Sequence, residues 1–198
     1  LYGTDFSGSN LSSAILSDAN ISGADFIGSN LNSADFSYVT GLSIDQLNEA
    51  QDVRNMKLRF VDLNSVTFTL VGEGALEGDL TGVDFEGSIL NDSSFANMSL
   101  ESVSFVSAYL ADASFDNATL TNSDLSDAHL ANSSLINATL ADSNLSGAYL
   151  SGATLTSAAL TNSNLSGADL TSAALGGVTL TDSDVNGAIF DGASGLLL

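Results

Sequence analysis

Between Leu80 and Phe190 every fifth residue is apolar, without one exception in the series. The residue two places before each of these positions is small or β-branched, with Met98 as the largest exception. A period of five fits neither an α-helix, with a period of about 3.6, nor a flat strand, with a period of about two. A fixed repeat this short predicts a solenoid, in which each coil buries its apolar residues against the next coil.

Individual repeats carry a family resemblance. Residues 128–132 (Ala-His-Leu-Ala-Asn) and 168–172 (Ala-Asp-Leu-Thr-Ser) resemble the A-(D/N)-L-x-x unit of the pentapeptide-repeat family. The resemblance covers most of the chain and implies an all-β solenoid, a right-handed quadrilateral β-helix with four five-residue sides per coil. The number of repeats then predicts about eight coils and, at ~4.8 Å per coil, a rod of roughly 40 Å. A shared fold leaves the function open.

The repeat pattern predicts one domain, 1–198, with a helical interruption and a loop. Its predicted segments are a first repeat block (1–40), a helical insertion (41–57), resumed repeats (58–70), a loop (71–77), the main repeat block (78–192) and a C-terminal tail (193–198). Within the insertion we expect a short α-helix over residues 43–50, because Ser43 and Gln46 have the spacing of a capping box. The insertion is also similar to segments in cyanobacterial and chloroplast-lumen members of the family.

The composition restricts the function classes. The chain has 24 Asp and Glu but three Lys and Arg, a net charge of −21. This balance argues against direct binding to nucleic acid or anionic membranes, which require basic patches. The absence of Cys excludes disulfides and Cys-ligated metal sites. No apolar run predicts a membrane span, and we expect a soluble protein.

The first residue, Leu1, falls within the repeat pattern. We interpret the chain as processed or trimmed, so that any targeting segment would have been removed. The compartment stays open among bacterial or cyanobacterial cytoplasm, periplasm or thylakoid lumen, and the extracellular space.

Residues 20 apart should stack if a coil has 20 residues, and this spacing predicts an aromatic column. Tyr109, His129 and Tyr149 fall in one column and Asp169 follows them. Exposed stacked aromatic residues are typical of interaction surfaces. The alternative is a set of outward residues that only pack on one another. The single His has no Cys or second His beside it, so we expect no metal site.

A second face is rich in threonine. Its predicted ladder consists of Thr119, Thr121, Thr139, Thr161, Thr179 and Thr181. This pattern resembles the Thr-x-Thr ladders of ice-binding β-solenoids. The alternative is that Thr simply suits exposed strand positions.

The acidic surface suggests a further hypothesis. B-DNA carries one charge per ~1.7 Å of axis, so a ~40 Å rod would match it with roughly 23 charges. Pentapeptide-repeat proteins that protect DNA gyrase from quinolones are interpreted as DNA mimics of this kind. Only Asp169 is charged between Ser143 and Thr181, so the acidity is not continuous. The alternative is a solvated surface without a specific partner.

All three cations, Arg54, Lys57 and Arg59, follow the predicted helix. Such a departure from a regular repeat can mark a functional site, and the alternative is a structural clasp over one coil. The chain shows no P-loop, dinucleotide fingerprint, HExxH or nucleophile-elbow motif, and we expect no cofactor and no catalysis.

Three hypotheses therefore stand beside one another. The first is a non-catalytic interaction or assembly scaffold with an unknown protein partner, forming a homo-oligomer through the ends of the solenoid. The second is an acidic DNA mimic that binds a type II topoisomerase, and the third is ice binding through the threonine face.

Overall fold

The structure, a computed structural model, describes residues 1–68 and 79–196. The chain winds into a four-sided coil, and parallel β-bridges join residues 20 apart in successive coils. We name the faces by their bridge residues. Face A carries Ser114, Ser134 and Thr154, face B Thr119, Thr139 and Ala159, face C Asp124, Asn144 and Asn164, and face D Tyr109, His129 and Tyr149.

Face C shows the length of the rod, because its bridges run without a gap from Ile15 to Asp184. This column has nine bridge residues and therefore eight steps. At ~4.8 Å per step the rod is about 38 Å long. Among the described residues each side contributes one isolated bridge rather than a longer strand. The predicted four-sided solenoid of about eight coils is confirmed.

One repeat, residues 128–132, shows how five residues make a side. Ala128 and Leu130 point inward and are fully buried, while His129 between them forms the bridge. The His129 N–H donates to the Ala108 carbonyl of the preceding coil (2.9 Å), and the Leu130 N–H donates to the Tyr149 carbonyl of the next coil (2.8 Å). The backbone is therefore paired on both sides.

Each side ends in a tight corner. The Ser133 N–H donates to the Leu130 carbonyl (3.1 Å), and Asn132 between them has a φ of +57°. This combination is a type II turn, whose third residue must adopt a left-handed conformation. Gly, Asn and Asp adopt it most readily, which explains why these residues and Ser recur at the corners.

The central residues fill the interior as continuous stacks. Phe85 lies on Phe105 with ring centroids 5.3 Å apart, and Phe95 lies on Phe115 at 5.1 Å. Polar side chains also enter the core: along face C the hydroxyls of buried serines donate to backbone carbonyls, as Ser143 Oγ does to Leu120 (2.5 Å). The repeat period thus sets which side chains are buried.

The helical insertion packs over face A. Helix α1 spans Ile44–Asn48, and its capping box is confirmed: Ser43 Oγ accepts from the Gln46 N–H, and Gln46 Oε1 accepts from the Ser43 N–H. The Gln46 Nε2 also donates to the buried carbonyls of Ile21 (3.0 Å) and Ala24 (2.7 Å). Because α1 interrupts the ladder, this side chain supplies to the Ala24 carbonyl the hydrogen bond that the missing backbone side would have made.

The insertion is shorter than the predicted range 41–57. Asp52 already pairs with Asn30, and Lys57 pairs with Asp35, so both lie in the coil. Val53 takes the buried central position one repeat before the predicted restart. The sequence did not reveal this repeat because Gln51, and not a small residue, stands two places before Val53. The helix itself is likewise shorter than the predicted 43–50.

The later boundaries also differ in part from the prediction. Ser194 pairs with Ala174, so the ladder continues beyond the predicted end of the main block at 192. The predicted loop, 71–77, lies outside the described residues, as do the end of the segment 58–70 and the last residues of the segment 193–198.

Candidate interaction surface

The predicted aromatic column forms on face D. The rings of Tyr109 and His129 are stacked with centroids 4.9 Å apart, and those of His129 and Tyr149 with centroids 4.8 Å apart. The ring planes deviate by 4° and 7°. Tyr109 is 47% exposed and Tyr149 is 48% exposed. The coil spacing therefore holds three rings in register, and the two tyrosine side chains remain about half exposed.

The column continues in both directions. Ile89 bridges to Tyr109 on one side and is 37% exposed, and Asp169 bridges to Tyr149 on the other. The side chain and the backbone N–H of Thr171 donate to the Asp169 carboxylate, and these hydrogen bonds lower the pKa of Asp169 below its ordinary value of 3.8. An ionised carboxylate thus lies directly beyond the aromatic rings.

A second aromatic pair, not anticipated from the sequence, lies at the corner between faces C and D. The rings of Tyr38 and Phe60 are stacked with centroids 4.9 Å apart, and the side chains are 53% and 46% exposed. Both residues occupy left-handed corner positions, with φ of +59° and +54°. The sequence did contain a signal for this pair. Tyr38 and Phe60 each follow an apolar central residue by two places, where other repeats have Gly, Ser, Asn or Asp. The 22-residue spacing across the insertion concealed it.

The threonine ladder forms as two interrupted rows on face B. Thr119 pairs with Thr139, but Ala159 separates Thr139 from Thr179 in the bridge column. The neighbouring row contains Thr121, Thr161 and Thr181, with Ala141 in the second place. The face is therefore not a continuous array of hydroxyl groups.

The three cations do not form one cluster. Arg54 lies on face B and pairs with Asp52 (2.8 Å), whereas the other two lie on face C. Lys57 contacts Asp35 (3.4 Å) there.

Arg59, the third cation, contacts Asp84 (2.6 Å) and Glu86 (3.3 Å). In the first ion pair, the hydrogen bond from Arg54 lowers the pKa of the Asp52 carboxyl, although partial burial opposes this shift. Each cation thus neutralises acidic residues of its own or neighbouring coils.

Within residues 1–68 and 79–196, no group of three or more His, Asp or Glu side chains is placed to hold a metal ion. In the same part of the chain no helix has the length and apolar character needed to cross a membrane.

The chain is similar to several solved structures. A pentapeptide repeat protein from the Arabidopsis thaliana thylakoid lumen is 37% identical over 52% of this chain and 72% of its own, with a TM-score of 0.47. HetL, a pentapeptide repeat protein involved in heterocyst differentiation regulation in the cyanobacterium Nostoc sp. strain PCC 7120, is 23% identical over 93% and 86%, with a TM-score of 0.37.

Trypsin-treated QnrB1, a plasmid-mediated fluoroquinolone resistance protein, is 16% identical over 95% of this chain and 89% of its own, with a TM-score of 0.53. At that identity it shows the fold alone. Among curated protein sequences, none matches this chain.

Family models match most of the repeat region. The model described as "Pentapeptide repeat region" matches residues 77–145 and 113–190, and "Pentapeptide repeats (8 copies)" matches residues 1–37. Together they cover both blocks in which the five-residue period is regular. The five-residue period of the sequence, the four-sided coil and the match to the family models agree. The chain therefore belongs to the pentapeptide repeat family and has the right-handed quadrilateral β-helix of that family.

Proposed function

We propose that this protein is a non-catalytic scaffold that binds another protein through the aromatic column of face D. The observation that carries the proposal is the stack of Tyr109, His129 and Tyr149, whose rings are parallel and whose two tyrosine side chains are about half exposed. Tyrosine is enriched among the residues that dominate interface energies, because it offers a rigid apolar ring with a polar tip.

The rigidity of the column supports a binding role. The three backbones are fixed in the bridge ladder, and each ring is held by its neighbours in adjacent coils. A surface whose side chains are already ordered loses little conformational entropy on binding. The surface also needs no cavity, since the interior of the coil is filled by the central residues.

The proposal is tested by affinity capture from an extract of the source organism. The wild-type protein is compared with the double variant Tyr109→Ser/Tyr149→Ser, since Ser occupies the same bridge position at Ser104 and Ser114. The matched control is Ile27→Ser, which removes a 51% exposed apolar side chain on face A. We expect proteins that the wild type and the control recover and the tyrosine variant does not. Identical recovery by all three proteins would contradict the proposal.

The other hypotheses remain predictions with less support from the geometry. For the DNA mimic, the coils between Ser143 and Thr181 carry only Asp169 as a charged group, so a phosphate-like row is interrupted. For ice binding, Ala141 and Ala159 interrupt the threonine rows. Gyrase supercoiling and thermal hysteresis measurements test these two hypotheses directly.

Self-association through the ends of the solenoid also stays a prediction. Sedimentation velocity over a concentration series is its test, and a mass that stays monomeric throughout would contradict it.

A further inference from the structure

We propose that the aromatic column is one part of a longer docking surface, and that its occupant is a cationic amphipathic helix of a partner protein. We call this surface the apolar stripe; it consists of Tyr38, Phe60, Ile89, Tyr109, His129 and Tyr149. The inference rests on the proposed function, for which it names the chemistry of the partner.

The stripe is continuous from coil to coil. The Tyr38 N–H donates to the backbone carbonyl of Arg59, and the Phe60 N–H donates to the backbone carbonyl of Glu86. The two corner residues therefore lie in successive coils. The Phe60 ring covers Gly87 so closely that a Cβ there would lie 2.3 Å from Phe60 Cε1. Ile89 follows Gly87 on the same coil and bridges to Tyr109. The six stripe residues thus occupy six consecutive coils, about 24 Å at ~4.8 Å per step.

The exposed apolar side chains of the stripe form a contiguous patch. Eleven large hydrophobic side chains are exposed among the described residues, and five of them belong to the stripe: Tyr38, Phe60, Ile89, Tyr109 and Tyr149. The other six lie nearer the two ends of the chain: Leu1, Tyr2, Ile15, Ile27, Val185 and Ile189. Apolar residues scattered singly over a surface need no explanation, whereas a contiguous patch indicates an interaction site. The contiguity of the stripe over successive coils is therefore evidence for a docking edge.

The backbone of the two corner residues points to the same conclusion. Every other non-glycine residue with a positive φ in the described chain is Ser, Asn or Asp. Tyr38 and Phe60 alone place bulky rings in this disfavoured conformation. Residues held in sparsely populated conformations cluster at functional sites. The rings are thus kept on the edge at a conformational cost that small polar residues would avoid.

Charge identifies the occupant as cationic. Carboxylates border the stripe on face D and its two corners: Asp62, Asp92, Asp112, Asp127 and Asp169. The described part of face D carries no Lys or Arg, and Arg59 beside Phe60 is paired with Asp84 and Glu86. A second copy of this chain would bring like charges together, because its net charge is −21. Complementary charge instead favours a segment that flanks its apolar side with Lys and Arg.

The backbone of face D identifies the occupant as helical. The N–H groups of Tyr109 and Leu110 are already paired with Ser88 and His129. An extended peptide would find no free backbone groups to pair with, so strand addition is not available on this face. A helix satisfies its own backbone and offers side chains alone. About 16 helical residues would span 24 Å at ~1.5 Å per residue.

The test uses fluorescence anisotropy with labelled 18-residue peptides in 0.15 M salt. The probe is a helical Leu/Lys peptide with one apolar side; comparison peptides replace its Lys by Glu, or its Leu by Ser. The corner variant is Tyr38→Asn/Phe60→Asn, because Asn already occupies corners such as Asn55 and Asn122. The column variant is Tyr109→Ser/Tyr149→Ser. The control is Ile15→Ser, which removes an 80% exposed side chain on face C outside the stripe.

We expect the Leu/Lys peptide to bind the wild type and the control alike, and each stripe variant to weaken binding by about tenfold or more, as loss of interface aromatic residues does. Circular dichroism and thermal melting verify that each variant is folded. The inference would be overturned if the Leu/Lys peptide did not bind, or if the peptide with Glu for Lys or the peptide with Ser for Leu bound equally well. An unchanged affinity of the corner variant would also overturn it.

The outcome separates this inference from the function on which it rests. If capture of a natural partner depends on Tyr109 and Tyr149 but the Leu/Lys peptide does not bind, the scaffold proposal stands and the cationic helix is wrong. If capture is independent of these tyrosines, the scaffold proposal itself fails.

Discussion

Two buried serines in one coil provide a sharp test of how hydrogen bonding stabilises this solenoid. Ser133 and Ser143 both precede a central leucine by two places, and they are 0% and 2% exposed. The Ser133 hydroxyl has no hydrogen-bond partner among the described residues. Its neighbours at the same position in the adjacent coils are Ala113 and Ala153, which offer no polar side-chain atom. We therefore expect Ser133→Ala to stabilise the protein.

The matched substitution is Ser143→Ala. Ser143 Oγ donates to the Leu120 carbonyl (2.5 Å) and accepts from the Ser123 N–H (3.2 Å). After its removal those two backbone groups still pair with each other in the turn (3.2 Å). The loss is therefore close to one net hydrogen bond, about 1 kcal/mol. An unpaired buried hydroxyl costs about 1–3 kcal/mol, so Ser133→Ala should gain at least ~1 kcal/mol.

The predicted difference between the two variants is thus about 2 kcal/mol. Equilibrium denaturation in guanidinium chloride, followed by circular dichroism, measures it as a shift in midpoint at a constant slope. In a thermal melt the same difference corresponds to roughly 4–8 °C for a chain of this length. Because both residues lie in one coil, differences in stability along the repeat array do not enter the comparison.

The reasoning would be refuted if Ser133→Ala lowered the free energy of unfolding as much as Ser143→Ala. That result would mean that the Ser133 hydroxyl is paired in the native state and contributes like the others. Equal stability of the wild type and both variants would also contradict it, because the hydroxyls would then contribute nothing at either position.

Three further predictions concern the insertion, the corners and the charge. Gln46→Ala should lower the stability by about 1–3 kcal/mol, because the buried Ala24 carbonyl loses the amide that pairs with it; denaturant midpoints measure this. Gly87→Ala should destabilise more than Gly167→Ala. Both glycines lie at the corner between faces C and D with positive φ, but only the first also has an aromatic ring against it; paired thermal melts measure the difference. The pKa of Asp52 is lowered, chiefly by the hydrogen bond from Arg54. The ionised carboxylate therefore contributes to the free energy of unfolding above pH 3.8, and this contribution is lost as the pH falls further. Denaturant midpoints between pH 2 and 6 should show a smaller acid-induced loss when that arginine is replaced by Gln.

Each of these predictions has a contradicting outcome. A Gln46→Ala protein as stable as the wild type would mean that α1 is not a clasp. Equal melting temperatures of the two glycine variants would show that the ring against Gly87 moves away freely. An arginine variant with the same pH dependence as the wild type would show that the pair does not set the Asp52 pKa in the native state.

The five-residue period made most of the fold predictable. A side of five residues returns every central residue to the inside, as Leu130 and Phe105 show. The family resemblance added that a coil has four such sides, and the resulting 20-residue repeat correctly placed Tyr109 beside His129. Stacking is predictable here because it depends only on counting residues along a regular ladder.

Counting failed where the ladder is interrupted. Across α1 the bridge spacing is 22 residues, as between Asp35 and Lys57, and between Lys57 and Asp84 it is 27. A column drawn at 20 residues therefore misses the contact between Tyr38 and Phe60, although each aromatic residue is visible in its own repeat. The capping box at Ser43 predicted the helix, but it did not predict the bridge spacing across the insertion.

The sequence by itself thus determined which side chains point inward, since that direction depends on position within a five-residue side and on nothing farther away. The tertiary structure alone decided which residues face one another across the insertions and which buried hydroxyls find an acceptor. Those outcomes depend on the offset between coils and on distances of a few ångströms between backbone and side-chain atoms, and a local repeat carries no information about either.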